Sequence, residues 1–182
     1  MTLEGLKKLI AIKASRNKGL TGELKALFAD ITPMTKPEPE TGLIIYPQWL
    51  AGFISAEGCF SVFIVKSQYV KLGYLVQLRF RLTQHVRDVQ LMESLVSYLG
   101  GTVVKSREAV DLQVIKLSVL TDKVLPLLEK YPVQGVKYPD YCDFVKVVEI
   151  VKNKTHLTAE GLSLVQKKLG WIQVEDKFVR RC

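Results

Sequence analysis

The chain has 182 residues, a hydrophobic fraction of 48% and a net charge of +8, enough for one domain with an extension or for two small domains. No apolar run approaches the roughly 18 residues of a membrane-spanning helix, and Cys59, Cys142 and Cys182 are scattered with no C-x-x-C pair, against a zinc site. The positive balance points to a polyanionic partner, nucleic acid first and an acidic membrane surface second.

Residues 1–19 place Leu3, Leu6, Leu9, Ile10 and Ile12 among Lys7, Lys8, Lys13 and Arg16. That is the pattern of an amphipathic helix, and also the makeup of a mitochondrial transit segment. A recurrence favours the ordinary helix: Thr2-Leu3-Glu4-Gly5-Leu6 resembles Thr158-Ala159-Glu160-Gly161-Leu162. In both, a threonine is placed to cap a helix and a glutamate lies in the first turn, where the helix dipole favours an acid. A chain that starts with the last helix of one repeat and then runs through a complete second repeat has this form. A short helix is predicted over 21–28. Residues 30–45, with Pro33, Pro37, Pro39 and Gly42, suggest an extended linker, so the expected division is 1–45 and 46–182.

Pro47 suits the first turn of a helix that runs to Ala56 and stops at Gly58. Strands are predicted over 60–67 and 73–84, a helix over 87–99 ended by Gly100-Gly101, and a second hairpin from 102–107 and 112–120. Helices follow over 124–130 and 139–154, and a last one begins at Thr158. This order predicts an α+β fold, a four-stranded, mostly antiparallel sheet with helices on one face. In the second strand Tyr74, Val76, Leu78, Phe80 and Leu82 alternate with Leu75, Gln77, Arg79, Arg81 and Thr83. One set forms a core face, and the other sets two arginines about 7 Å apart on the opposite face. That face either serves solubility or lies in a DNA major groove, where arginine contacts guanine with two hydrogen bonds.

The helix around residue 50 is unusual. Leu50, Phe53, Ile54 and Glu57 follow helical spacing, so a carboxylate continues an apolar stripe. Ala51, Gly52, Ser55 and Ala56 are small and would let a like helix approach closely. Glu57 falls at the negative end of the helix dipole, where it is either a frayed, solvated acid or a ligand for a divalent cation.

Residues 50–58, LAGFISAEG, closely resemble the LAGLIDADG signature of homing endonucleases and related intron maturases. Phe80-Arg81-Leu82-Thr83-Gln84-His85 with Arg87-Asp88 is similar to that family's second-strand ending. Tyr131-Pro132-Val133-Gln134-Gly135-Val136-Lys137 and His156-Leu157-Thr158-Ala159-Glu160-Gly161-Leu162 resemble its C-terminal segments. The similarity runs from about Trp49 to Leu162, and the N-terminal extension resembles the junction between the halves of two-motif members. Gly170-Trp171 and the tail to Cys182 depart from the family pattern.

The resemblance implies a site-specific double-strand DNA endonuclease using Mg²⁺ or another divalent cation. Glu57 would be the metal ligand and catalytic acid-end residue, with the Ala56 carbonyl as a further ligand. Gln84 would order solvent around the metal. Lys137 would be the basic residue near the scissile phosphate, with an exposed loop lysine as the alternative. DNA-facing candidates are Ser61, Phe63, Val65, Ser67, Gln77, Arg79, Arg81 and Thr83, then Lys105, Arg107 and Gln113 from the second hairpin, with Lys66 a phosphate contact. Phe63 and Val65 depart from a polar reading surface. Leu50, Ala51, Gly52, Phe53, Ser55 and Ala56 are expected at the interface with a second LAGLIDADG domain, supplied by a homodimer or an N-terminal half. The alternative is a non-cleaving binder of nucleic acid, maturase-like or ribosome-associated, which would take RNA. Family habit implies an organellar, mitochondrial setting, with no membrane partner.

Overall fold

The computed structural model describes residues 2–16, 18–35 and 45–168. Most of the expected linker over 30–45, and the tail from Gly170, lie outside the described residues. The chain divides into two compact units, Met1–Thr41 and Gly42–Cys182.

In the first unit, α1 (Leu3–Ala14) starts as its sequence predicts: the Thr2 hydroxyl accepts the Gly5 N–H at 3.2 Å. A short α2 (Gly22–Leu27) follows. The returning segment is fastened to α1 by the Met34 N–H, which donates to the Ala11 carbonyl at 3.1 Å, and by Lys7, 3.4 Å from Asp30.

The second unit is a four-stranded antiparallel sheet in the order β1-β2-β4-β3, with β1 (Gly58–Lys66), β2 (Tyr74–His85), β3 (Thr102–Ser106) and β4 (Ala109–Val114). The alternation of β2 decides its orientation. Val76, Leu78, Phe80 and Leu82 join Ile64, Val110, Leu112 and Val114 in one buried cluster with side chains from the helices. The helices are therefore on one side, and the opposite face of the sheet carries the polar set.

Helix α3 (Pro47–Glu57) contributes Leu50 and Ile54 to this core, and α4 (Val89–Leu99) contributes Met92, Leu95 and Leu99. Gly100 and Gly101 end α4 at positive φ, 75° and 90°. A side chain on Gly101 would meet the Gln113 carbonyl oxygen at 2.4 Å, so both the turn and the close approach need glycine. Helix α7 (Tyr138–Lys152) lays Tyr141, Phe144, Val147 and Val148 onto the core. Phe60 packs against Phe80, Tyr141 and Phe144 with ring centroids 5.3, 5.5 and 5.4 Å away, joining α7 to the sheet. Helix α8 (Ala159–Lys168) begins at Thr158, whose hydroxyl accepts the Gly161 N–H at 3.0 Å.

The structure overturns one predicted strand. Residues 112–120 are not a single strand: β4 stops at Val114, and α5 (Leu117–Val119), a π-helical turn over Leu120–Val124 and α6 (Leu125–Lys130) run on as one helical segment. Leu120, Val124, Leu125 and Leu128 are buried at helical spacing, and their burial outweighs the short strand-like alternation just before them. Among the described residues no helix is long and apolar enough to cross a membrane.

Candidate functional site

Helical phase sorts the residues of α3 into two faces. Leu50, Ala51 and Ile54 point into the domain, at 0%, 6% and 0% exposure. Trp49, Gly52 and Ala56 are exposed on the other side, with half-buried Phe53 stacked on Trp49 at 5.2 Å. This sorts the expected interface set. Leu50 and Ala51 are buried within the domain. Ser55 is also engaged within the domain: its hydroxyl donates to the Ala51 carbonyl at 2.7 Å and accepts the Gln134 N–H at 3.0 Å. Gly52 and Ala56 are the members of that set left exposed, with half-buried Phe53 and exposed Trp49 beside them.

Glu57 is the last residue of α3, with an exposed carboxylate. Gly58 then turns directly into β1 while its N–H closes the helix on the Ile54 carbonyl. Glycine is required there, because an added Cβ would stand 2.4 Å from the Ile54 carbonyl oxygen. The Lys137 ammonium donates to the Gly58 carbonyl. It thereby sets a cation at the negative end of the helix, beside the one acid of α3. The loop that carries Lys137 is held at a second point by the bond from Gln134 to Ser55. Gly58 pairs with Leu82, so half-buried Gln84, two residues further along β2, lies at this same end of the sheet. Lys137 is thus tied to the residue after Glu57, and Gln84 lies two residues beyond that residue's partner on β2.

Among the described residues no three His, Cys, Asp or Glu side chains cluster into a metal cage. The Glu57 carboxylate and the Ala56 carbonyl are oxygen donors, the type a hard cation such as Mg²⁺ prefers. A site with so few protein ligands fits an ion completed by water and substrate phosphate.

On the open face of the sheet, strand pairing puts Ser61 opposite Arg79, Phe63 opposite Gln77, Val65 opposite Leu75, Arg81 opposite Gln113, and Thr83 opposite Asp111. Partners across a ladder share a face, so these expected residues lie together, with one addition. Asp111 was not anticipated, because the predicted strand began one residue after it. The Arg79 guanidinium lies over the Phe63 ring, 4.9 Å from its centroid. Arg81 Nη1 lies 3.9 Å from Asp111 Oδ2, and the Thr83 hydroxyl donates to Asp111 Oδ1 at 2.6 Å. Lys105 is placed elsewhere. It pairs with Val110, whose side chain is in the core, and reaches Glu93 of α4 at 3.5 Å, so it belongs to the helical side. Arg107 occupies the β3–β4 turn at φ 48°. Lys66 is exposed at the end of β1, and Ser67 closes the β1–β2 tip through its N–H to the Gly73 carbonyl at 2.8 Å.

A helix of small residues ending on an acid beside a lysine, joined to an antiparallel sheet with arginines on its open face, is the architecture of a single-signature homing-endonuclease domain. The family model for LAGLIDADG endonucleases matches residues 50–148. The chain belongs to the LAGLIDADG endonuclease family. It is 40% identical over 174 residues to a probable intron-encoded endonuclease of Neurospora crassa, covering 93% of this chain and 32% of the relative. It is 30% identical over 115 residues to a 50.9 kDa protein in ND4 intron 1 of Podospora anserina, covering 62% of this chain and 26% of that one. Among solved structures, the I-SmaMI LAGLIDADG homing endonuclease bound to cleaved DNA superposes with a TM-score of 0.86 at 43% identity, over 93% of this chain and 57% of that one. The same endonuclease bound to uncleaved DNA in the presence of calcium ions gives a TM-score of 0.86. The chain thus spans about a third of the Neurospora relative. The family model and the Neurospora relative both carry the description of an endonuclease.

Proposed function

We propose that this chain supplies one half of a site-specific double-strand DNA endonuclease. The observation that carries this reading is the bond from Lys137 to the Gly58 carbonyl. It ties a cation to the residue that follows Glu57, where a carboxylate to hold metal and a cation to meet phosphate are both needed. Glu57, aided by the Ala56 carbonyl, holds a divalent cation, which we take to be Mg²⁺. When bound, the ion lowers the pKa of water and stabilises the leaving oxygen. Gln84 orders solvent at that end of the sheet, and Lys137 stabilises negative charge developing on the scissile phosphate. The open face of the sheet meets the major groove through Ser61, Phe63, Gln77, Arg79, Arg81, Thr83 and Gln113. Lys66, Ser67 and Arg107 contact the backbone from the hairpin tips, which makes binding sensitive to salt. Lys105 contributes only to the general positive field.

One signature helix cuts one strand, so a second domain must dock on the Gly52, Phe53 and Ala56 face. A second copy would give a twofold dimer that cuts a near-palindromic site. A separate N-terminal half would give an asymmetric site. The intron-encoded relatives support an organellar, mitochondrial setting.

The test combines mass in solution, by light scattering, with Mg²⁺-dependent nicking of a randomised duplex library by the parent and Glu57→Gln. A dimer whose cutting disappears in Glu57→Gln supports the symmetric enzyme. A monomer that binds duplex and cuts only with an added N-terminal half supports the asymmetric one. A protein that prefers RNA and never cuts in either format refutes the endonuclease.

A further inference from the structure

Two residues on the open sheet face are poorly suited to DNA when considered singly. Phe63 is an apolar ring on a polar face. Asp111 is an acid on a surface facing phosphates, which it repels. Each is nonetheless set against an arginine. The Arg79 guanidinium is 4.9 Å from the Phe63 ring centroid, a cation–π distance. Arg81 Nη1 is 3.9 Å from Asp111 Oδ2, and Asp111 is itself anchored by the Thr83 hydroxyl at 2.6 Å. Both supports come from neighbouring strands, Phe63 from β1 and Asp111 from β4, so the sheet itself fixes their positions.

A long side chain that is ordered only on binding loses about 2 kcal/mol of rotamer entropy. An arginine already held loses less, and its planar fork arrives in a set orientation. Arginine in the major groove donates two parallel N–H groups to guanine O6 and N7, the most common specific contact to a base. Positions i and i+2 on a strand are about 7 Å apart, roughly two base-pair steps of duplex.

We propose that Arg79 and Arg81 are guanine readers held in place by Phe63 and Asp111, so that the recognised half-site carries two guanines within two base pairs of each other. This rests on the DNA-reading face proposed above. Phe63 and Asp111 are positioning residues that act through the arginines, and Asp111 is one that the expected set of contacts lacked.

The experiment incubates the full chain with a randomised duplex library and sequences the duplexes it retains. The parent is expected to enrich guanine about tenfold at each of two positions no more than two base pairs apart. Arg79→Met and Arg81→Met should each level one position, because the side chain then has no donor for guanine O6 and N7. Phe63→Leu should weaken the Arg79 position severalfold, and Asp111→Asn the Arg81 position, each leaving the other intact. Thermal melting checks that each variant is folded. If Phe63→Leu and Asp111→Asn weaken all sequences alike and leave both preferences standing, their role is structural and the proposal fails. A parent that retains no duplex overturns the DNA-reading face itself, and is recognised because no position is enriched at all.

Discussion

Gly52 lies in the interior of α3, exposed, with no atom within 4 Å of the place a Cβ would occupy. Inside a helix, glycine is less favourable than alanine by about 1 kcal/mol. Nothing in the domain obstructs the extra methyl, so Gly52→Ala should stabilise the unpaired domain by about 1 kcal/mol and raise its Tm by about 3 °C. The same methyl should act oppositely on pairing, because a second signature helix would have to accommodate it between two close backbones. Gly52→Leu exaggerates the obstruction. Circular dichroism melts at concentrations where the chain is monomeric report the first effect. Light scattering and duplex cutting with the second domain present report the other. The expected result is a Tm that rises for Gly52→Ala while pairing and cutting fall in the order parent, alanine, leucine. A lower Tm for Gly52→Ala would mean the face is already occupied within the domain. A leucine variant that pairs and cuts like the parent would mean this face is not the joint.

Three other outcomes are expected. Phe80 is fully buried at the centre of β2 and packs on Phe60, so Phe80→Ala should cost about 3–5 kcal/mol in chemical denaturation, and a loss below 1 kcal/mol would show that the core closes elsewhere. Lys137→Met should lower cutting by about 10²–10³-fold with duplex binding kept; unchanged cutting would reduce Lys137 to a helix cap. Burial, followed by the nearby charge of Glu129 and the influence of Cys142 and Tyr138, pushes the Tyr141 phenol up to about 12. Between pH 10 and 12 the unfolded chain loses this proton while the folded one keeps it, so stability falls as pH rises through that window. The stability difference between the parent and Tyr141→Phe, followed by urea unfolding, should change with pH only above 10, and a constant difference would refute this.

Much of the fold was legible because local signals agreed. Pro47 and Gly58 bracket α3, and the strict alternation of β2 leaves a single choice of buried face. The failures have identifiable causes. Val114, Leu117, Val119 and Leu120 satisfy a strand and a helix about equally well over so short a stretch, and only the later burial of Val124, Leu125 and Leu128 decides for helix. The interface residues of α3 were expected from the family resemblance and the run of small residues, whereas the phase of the helix decides which of them are exposed in the domain, and this separates Gly52 and Ala56 from Leu50 and Ala51. Lys105 has the wrong parity for the open face, which is visible only once β3 is registered against β4. Lys137 and Gly58 are 79 positions apart, and no local pattern links them; the family resemblance alone pointed to that lysine.

The two fastenings of the 134–137 loop, Gln134 onto Ser55 and Lys137 onto Gly58, have a consequence for recombining halves of such enzymes. Both anchors are on or just beyond the last turn of α3, so the loop is geared to the helix that would form the joint. A foreign half that seats this helix at a different angle would drag the lysine with it. Chimaeras should therefore fail in a graded way, with recognition surviving in the sheet while scission declines as the joint departs from its native angle. Restoring activity in them would then be a problem of reseating one helix, with the DNA contacts left untouched.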